Sequence, residues 1–417
     1  QRYLQGRRDS GPPFRDLFIL LILIVTIVGL ATNNALIVGV GGITLTTTII
    51  ARVWSAVSLR DLNYSMSAHI NHVFIEDVVD VEFTYENKKP VPVTWLRTQE
   101  TIPEGLESVG NENHFREYLN GTPIQETVSL KSYERLTIRR SFRAQRRGHY
   151  YFGPVSITSG DPFGIYSNTR AIRQHYWSLF VYPKIIDIST LKFPLARPMG
   201  DLNRGGAIWK DPTMPVGLTE YRPGDPVKTI DWKASARRGN LFVKTYQESF
   251  SEHVTILLEG MTTDRPWAGL REDVLEALAS CAASVTMRAS QLGFRVGFVT
   301  NSILSLGGEN AIPPSDKLGQ TARILESLSR MKAATHVRLD DLLRGDKIVF
   351  PVDGIVIFIA AHLRESTTAY ILDRARKGHP LITLWVGRDD PPDITELNII
   401  DYRKAFGISE NDGLKKT

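Results

Sequence analysis

The sequence predicts a multidomain protein: two N-terminal transmembrane helices, an all-β sandwich and a C-terminal α/β domain. Three patterns carry that reading. Two apolar stretches without a charge lie within the first 51 residues. Residues 65–183 alternate apolar and polar with a period of two, and residues 249–417 alternate short apolar runs with helical spacing. A length of 417 residues accommodates two or three domains with sizeable cores. With 42% hydrophobic and 23% charged residues the chain has the composition of a folded protein. The net charge of +5 suits an anionic membrane surface as well as nucleic acid. The single cysteine, Cys281, excludes an intrachain disulfide framework and any zinc site built on several thiolates.

Residues 17–31 read LFILLILIVTIVGLA and residues 35–51 read ALIVGVGGITLTTTIIA. At about 1.5 Å per residue each stretch reaches roughly 22–26 Å, a little short of a ~30 Å hydrocarbon core. Arg15 and Arg52 can snorkel from the ends. A signal peptide cleaved after Gly29-Leu30-Ala31, a re-entrant hairpin and a buried soluble hairpin are the rival readings, and the second apolar stretch argues against simple cleavage. Arg2, Arg7, Arg8 and Arg15 precede the first stretch, Arg52 and Arg60 follow the second, and Thr32-Asn33-Asn34 between them is uncharged. By the positive-inside rule both flanks are cytoplasmic. The expected plan is a basic cytoplasmic N-terminus at 1–16, a transmembrane hairpin at 17–52 and a cytoplasmic bulk.

In the middle region Val79, Val81, Phe83 and Tyr85 alternate with Asp80, Glu82, Thr84 and Glu86, as in a half-buried strand. Further strands are expected at 91–96, 127–130, 135–142, 155–159 and 177–182, with Gly, Asn and Pro between them. This is a sandwich of roughly immunoglobulin-like size over 65–183. Arg146-Arg147-Gly148, Gly153-Pro154 and Asp161-Pro162-Phe163-Gly164 read as turn chemistry. Arginines at 135, 139, 140, 143, 146 and 147 are expected to form a solvated basic face, with lipid headgroups as the alternative partner. No interleaved aromatic pattern supports nucleic acid.

Residues 184–219 are aperiodic and rich in Gly, Pro and Asn, which marks a crossover linker. A charge-dense block follows at 220–248, EYRPGDPVKTIDWKASARRGNLFVKTYQE. With its Pro-Gly-Asp, Asp-Trp-Lys and Arg-Arg-Gly-Asn clusters it resembles the signature of the family known as "domain of unknown function 58". In that family the Arg-Arg-Gly and Asp-Pro-Phe-Gly run also precedes the block. The resemblance implies association with MoxR-type AAA+ ATPases and a von Willebrand factor A-like C-terminal domain. Glu220, Arg222, Gly224, Asp225, Asp231, Trp232, Lys233 and Arg237 form the candidate site. Two roles stand open for them: an architectural charge network with Trp232 as a buried peg, or a docking surface, since Trp and Arg dominate interface hot spots.

Over 249–417 strands are expected at 254–258, 295–300, 354–360 and 381–386. Helices are expected along Leu270 to Val285, from a Ser315 cap through Leu328, at 339–343 and at 367–377. Strand–helix–strand units imply a parallel sheet wrapped by helices, which looks like a von Willebrand factor A-like domain. Domains of that type commonly hold Mg²⁺ on an Asp-x-Ser-x-Ser loop. Here the loop reads Glu259-Gly260-Met261-Thr262-Thr263, and a thioether is a poor ligand for a hard cation. A degenerate site without metal or other cofactor is expected, with Glu259, Thr263 and Asp264 as its remnants.

No phosphate-binding loop, zinc-protease helix, nucleophile elbow or dinucleotide fingerprint occurs. His69 and His72 are expected to be solvated or core histidines, and Cys281 to be core filler. The expected function is non-enzymatic: a membrane-anchored scaffold or adaptor whose partners are the bilayer and proteins, with no nucleic acid. A MoxR-type ATPase is the partner that the resemblance implies, in assembly or maturation of other complexes. A membrane-bound, metal-assisted hydrolase using the Glu259 loop is the alternative.

Overall fold

The computed structural model describes residues 14–109, 122–172, 177–188, 209–222, 227–249, 253–263, 271–305, 307–335, 337–344, 354–376 and 380–408. The chain divides into two compact units, Gln1–Val181 and Tyr182–Thr417.

The first unit opens with α1 (Phe14–Ala31) and α2 (Ala35–Ser58). Asn33 takes the left-handed conformation and Asn34 caps α2, accepting from the backbone N–H groups of Leu36 and Ile37. Asn tolerates both duties, so the reversal needs only three residues. The helices approach closely at glycines: a Cβ on Gly41 would lie 2.4 Å from Thr26 Oγ1, and one on Gly29 2.7 Å from Ile37 Cγ2. Thr26, Thr44, Thr46, Thr47 and Thr48 each donate their hydroxyl to the carbonyl four residues earlier, which satisfies those donors within the helices. Among the described residues α2 alone is long and apolar enough to cross a membrane; the described apolar part of α1, Ile19–Ala31, is shorter.

Eleven strands follow: β1 (Leu62–Ala68), β2 (His72–Phe74), β3 (Val78–Asn87), β4 (Val93–Ile102), β5 (Leu106–Ser108), β6 (Thr122–Leu130), β7 (Arg135–Ala144), β8 (Gly148–Phe152), β9 (Val155–Gly160), β10 (Ser167–Ile172) and β11 (Trp177–Tyr182). They form antiparallel sheets in the orders β1-β3-β7-β5, β10-β9-β4-β6 and β2-β11-β8. One apolar core, including Tyr85, Leu96, Phe142, Phe152, Ile157 and Leu179, draws on all three sheets. The arginines do not share one face. Arg139 pairs with Glu82 at 2.7 Å on the exposed side of β7, whereas Arg140 points inward to Glu126 and Arg147 is buried. Alternation along the strand imposes this split, because neighbouring residues lie on opposite faces.

Polar side chains of the sandwich cap the end of α2. Lys89, itself buried, donates to the carbonyls of Ser58 and Arg60, both at 2.8 Å. Asn168 donates to Ser55 O at 2.7 Å, and Arg170 to Leu59 O and Leu62 O. Carbonyls at a helix C-terminus lack the next turn's donors, and cations suit the negative end of its dipole.

In the second unit β12 (Trp209–Glu220) pairs antiparallel with β13 (Phe242–Ser249), and α3 (Trp232–Arg238) lies between them in sequence. Residues 209–219 are therefore strand, where the sequence reads as linker. Pro212, Pro215 and Gly217 conceal the strand, and register shifts on either side of Pro215 accommodate a residue that cannot donate to the ladder.

Then come β14 (His253–Leu258), α4 (Glu272–Gln291), β15 (Arg295–Thr300), β16 (Ser302–Leu304), β17 (Ala311–Ser315), α5 (Gln320–Arg330), β18 (Met331–Thr335), α6 (Leu339–Arg344), β19 (Ile355–Ala360), α7 (Glu365–Arg376), β20 (Leu381–Trp385) and β21 (Ile399–Asp401). The six-stranded sheet has the order β17-β15-β14-β19-β20-β21 and is parallel except for β17. Strands β14 and β19 are buried almost throughout, as strands covered on both faces must be. Leu257, Val356 and Phe358 pack with Leu339, Leu343 and Ile371 of α6 and α7. Helix α4, with Cys281 wholly buried, packs against β14, β15 and β19. Ser315 ends β17 and does not cap α5; the cap position belongs to Gly319, at φ 85°. An edge strand that contains Pro313 and Pro314 is hard to foresee from alternation alone.

Candidate functional site

The signature block folds as strand, short helix, strand. Asp231 precedes α3 and accepts the backbone N–H of Ala234 at 2.9 Å; that bond, helped by Lys244 at 3.9 Å, holds its carboxyl below the usual range. Gly239, at φ 79°, closes the helix with its N–H on Ser235 O. The Ser235 hydroxyl donates to Asp231 O at 2.7 Å and accepts from Phe242 N at 2.9 Å, which ties the helix to β13. Arg238 lies over the Phe242 ring, 5.1 Å from its centroid.

With α3 fixed in this way, Trp232 is 65% exposed. It is no buried peg. The buried side of the seven-residue helix is Ser235, so the large ring at the first helical position is left in solvent. Lys233, Arg237 and Arg238 are exposed beside it, and neither Lys233 nor Arg237 makes an ion pair among the described residues. Val227 and Leu241 add exposed apolar surface within the same block. Glu220 sits at the end of β12 opposite Phe242, and Arg222 follows it, both exposed. Gly224 and Asp225 lie outside the described residues. The structure thus separates the candidates: Asp231 holds the helix, whereas Trp232, Lys233 and Arg237 are presented by it. The Asp N-cap and the Gly eight residues later were the signals in the sequence for this helix.

The second candidate lies at the carboxyl ends of β14 and β15, where open parallel sheets commonly bind ligands. Glu259 is buried directly after β14. Its Oε1 accepts from Asn301 Nδ2 at 2.7 Å and from Met261 N at 3.3 Å, while Asn301 Oδ1 accepts from Gly260 N at 2.9 Å. Burial pushes the Glu259 carboxyl up, with Asp340 adding to the shift; Asn301, Met261 N and Arg364 oppose it. A Cβ on Gly260 would sit 1.9 Å from Ser302 Oγ, so the loop is packed against the end of β15. Thr263 is half-buried, and Asp264 lies outside the described residues. No cluster of three acidic, His or Cys side chains able to hold a metal occurs among the described residues. The donors around Glu259 are engaged by protein amides and lie near a guanidinium, a poor fit to a hard dication.

The chain is a multidomain protein with a mostly β-sheet N-terminal region, an apolar N-terminal helix and an α/β C-terminal region. Residues 218–389 match the family model "Protein of unknown function DUF58". It is 25% identical over 256 residues to the uncharacterized protein YeaD of Bacillus subtilis (strain 168), an alignment that takes in 61% of this chain and 58% of that one. The match therefore spans little more than half of the relative's length. Among solved structures, 29% of the chain overlays 92% of the CARDB domain of a Pyrococcus furiosus protein in complex with di-metal ions, at 13% identity and a TM-score of 0.20. A cohesin of Acetivibrio cellulolyticus overlays a like share, at 12% identity and a TM-score of 0.18. Scores of that size define no common fold for the whole chain.

Proposed function

We propose that the protein is a non-enzymatic, membrane-anchored docking scaffold whose signature block receives a protein partner. In this reading α1 and α2 both span the bilayer and the bulk of the chain is cytoplasmic, as the flanking arginines and the uncharged turn imply. The α/β region is a von Willebrand factor A-like domain that needs no metal; its parallel order and amide-bound Glu259 support this. The observation that carries the reading is Trp232, held in solvent by a helix locked at both ends. A large exposed aromatic beside exposed cations on a rigid element is the composition of an interface anchor. The family resemblance suggests a MoxR-type AAA+ ATPase as the partner.

Affinity capture of the full-length protein from native membranes tests this, with a Trp232→Ala, Arg237→Ala double variant alongside. The expected result is an AAA+ ATPase recovered with the parent and lost from the variant. Equal recovery by both would leave the block architectural. For the metal, 10 mM Mg²⁺ should leave the unfolding midpoint of the parent within about 1 °C. A clear rise that disappears in Glu259→Ala would restore the hydrolase reading.

A further inference from the structure

The hairpin of β9 and β10 carries the Asp161-Pro162-Phe163-Gly164 turn, and its tip is apolar and exposed. Phe163 is 61% exposed, and Pro162 and Gly164 flank it in solvent. Asp161, the only charged residue from 161 to 166, is fully buried. Its carboxylate accepts the backbone N–H groups of Phe163, at 2.8 Å, and Tyr166, while Trp95 Nε1 donates to its carbonyl at 2.9 Å. The turn is thus held rigidly in a shape that keeps the Phe163 ring out of the core.

The contacts of β10 with α2 give the hairpin a direction. Asn168 bonds Ser55, and Arg170 bonds Leu59 and Leu62, so β10 runs the same way as α2 leaves its apolar portion. Strand β9 is antiparallel to β10, with Gly160 opposite Ser167. The tip therefore projects back along α2, on the side of Arg52 and the apolar residues before it. At about 3.4 Å per strand residue it lies on the order of 10 Å before the level of Ser55. That distance corresponds to about seven residues of helix, or the level of Thr48. Both Ile49 and Ile50 are exposed on α2 at this height.

We propose that this tip is a membrane-interface anchor, with Phe163 seated among the lipids of the same bilayer that α2 crosses. The inference rests on the spanning reading of α2. An apolar tip at that height meets the headgroup and upper acyl region, where aromatic side chains settle. The sandwich is then held to the bilayer at two points, the capped end of α2 and the Phe163 tip.

The test uses the full-length protein in nanodiscs of phosphatidylcholine and phosphatidylglycerol, with a nitrobenzoxadiazole probe on Phe163→Cys or, separately, on Val40→Cys. Cys281 is wholly buried and should take no label, which the unsubstituted protein checks. The expected result is that iodide quenches the probe at 163 several-fold less than free probe, whereas lipids with a nitroxide on the acyl chain quench it strongly. A lipid-quenched probe at 40 with an iodide-accessible probe at 163 would overturn the anchor and leave the span standing. Iodide access at both positions would overturn both.

Discussion

Glu100 concentrates the electrostatic cost of the sandwich in a single side chain. Burial pushes its carboxyl up to about 7, against the hydroxyl of Tyr64, which donates to it, and against Arg140 nearby. Tyr85, held by Thr98 and Glu126, is pushed up to about 12 by the same burial. A carboxyl whose folded value lies above its unfolded 4.5 favours the fold while protonated. That contribution is complete below pH 4.5 and is lost as pH rises through 7. We expect the unfolding free energy in detergent to fall by about 3 kcal/mol across this window from this group, and Glu100→Gln to remove the slope. A parent with no slope, or a Gln variant that keeps it, would contradict the assignment. At the same scale Trp232→Ala should change stability by less than about 0.5 kcal/mol, since little of the ring is buried. The sequence marks Trp232 as a notable residue but not as an exposed one. Exposure depends on which side of α3 meets β13, and Ser235 decides that through a hydrogen bond to Phe242 that no local pattern announces.

Among the elements, α3 depends on its end contacts, because seven residues form too short a helix to persist alone. Ser235→Ala removes the acceptor of a buried N–H at Phe242, and should cost about 2 kcal/mol in the unfolding midpoint analysis. If it proves neutral, the helix is held by something other than this bridge. The end of α2 makes a parallel case. Lys89→Met leaves the carbonyls of Ser58 and Arg60 without their donor and should cost about 2 kcal/mol, whereas Lys88→Met on the exposed neighbour should be neutral. Elements with a strong period were legible in advance: β3, β9, β15 and α4 lie where alternation or helical spacing places them. Strands that carry proline, β12 and β17, were not, because their pairing comes from distant partners and not from their own pattern. The polar clamp on α2 was equally hidden, since Lys89, Asn168 and Arg170 are far apart in sequence and read singly as surface residues.

For the whole molecule, the order of regions was readable because each has its own period: apolar helices, then alternation, then parallel strands with helices between. The candidate site was readable in composition but not in role. Asp231 and Trp232 are adjacent in sequence, yet one holds the backbone and the other faces solvent. In the Glu259 loop, Asn301, which donates to the carboxylate, follows another strand 42 residues on, so its role is not legible in the local sequence. The proposed function turns on α3 acting as a docking surface. The most direct test places a photoreactive benzophenone side chain at position 232 of the full-length protein in native membranes, with a second at Leu318, which is fully in solvent, as the control. The expected result is a discrete crosslink to one protein, an AAA+ ATPase, from position 232 and none from position 318. The same diffuse products from both positions, or none from 232, would contradict it.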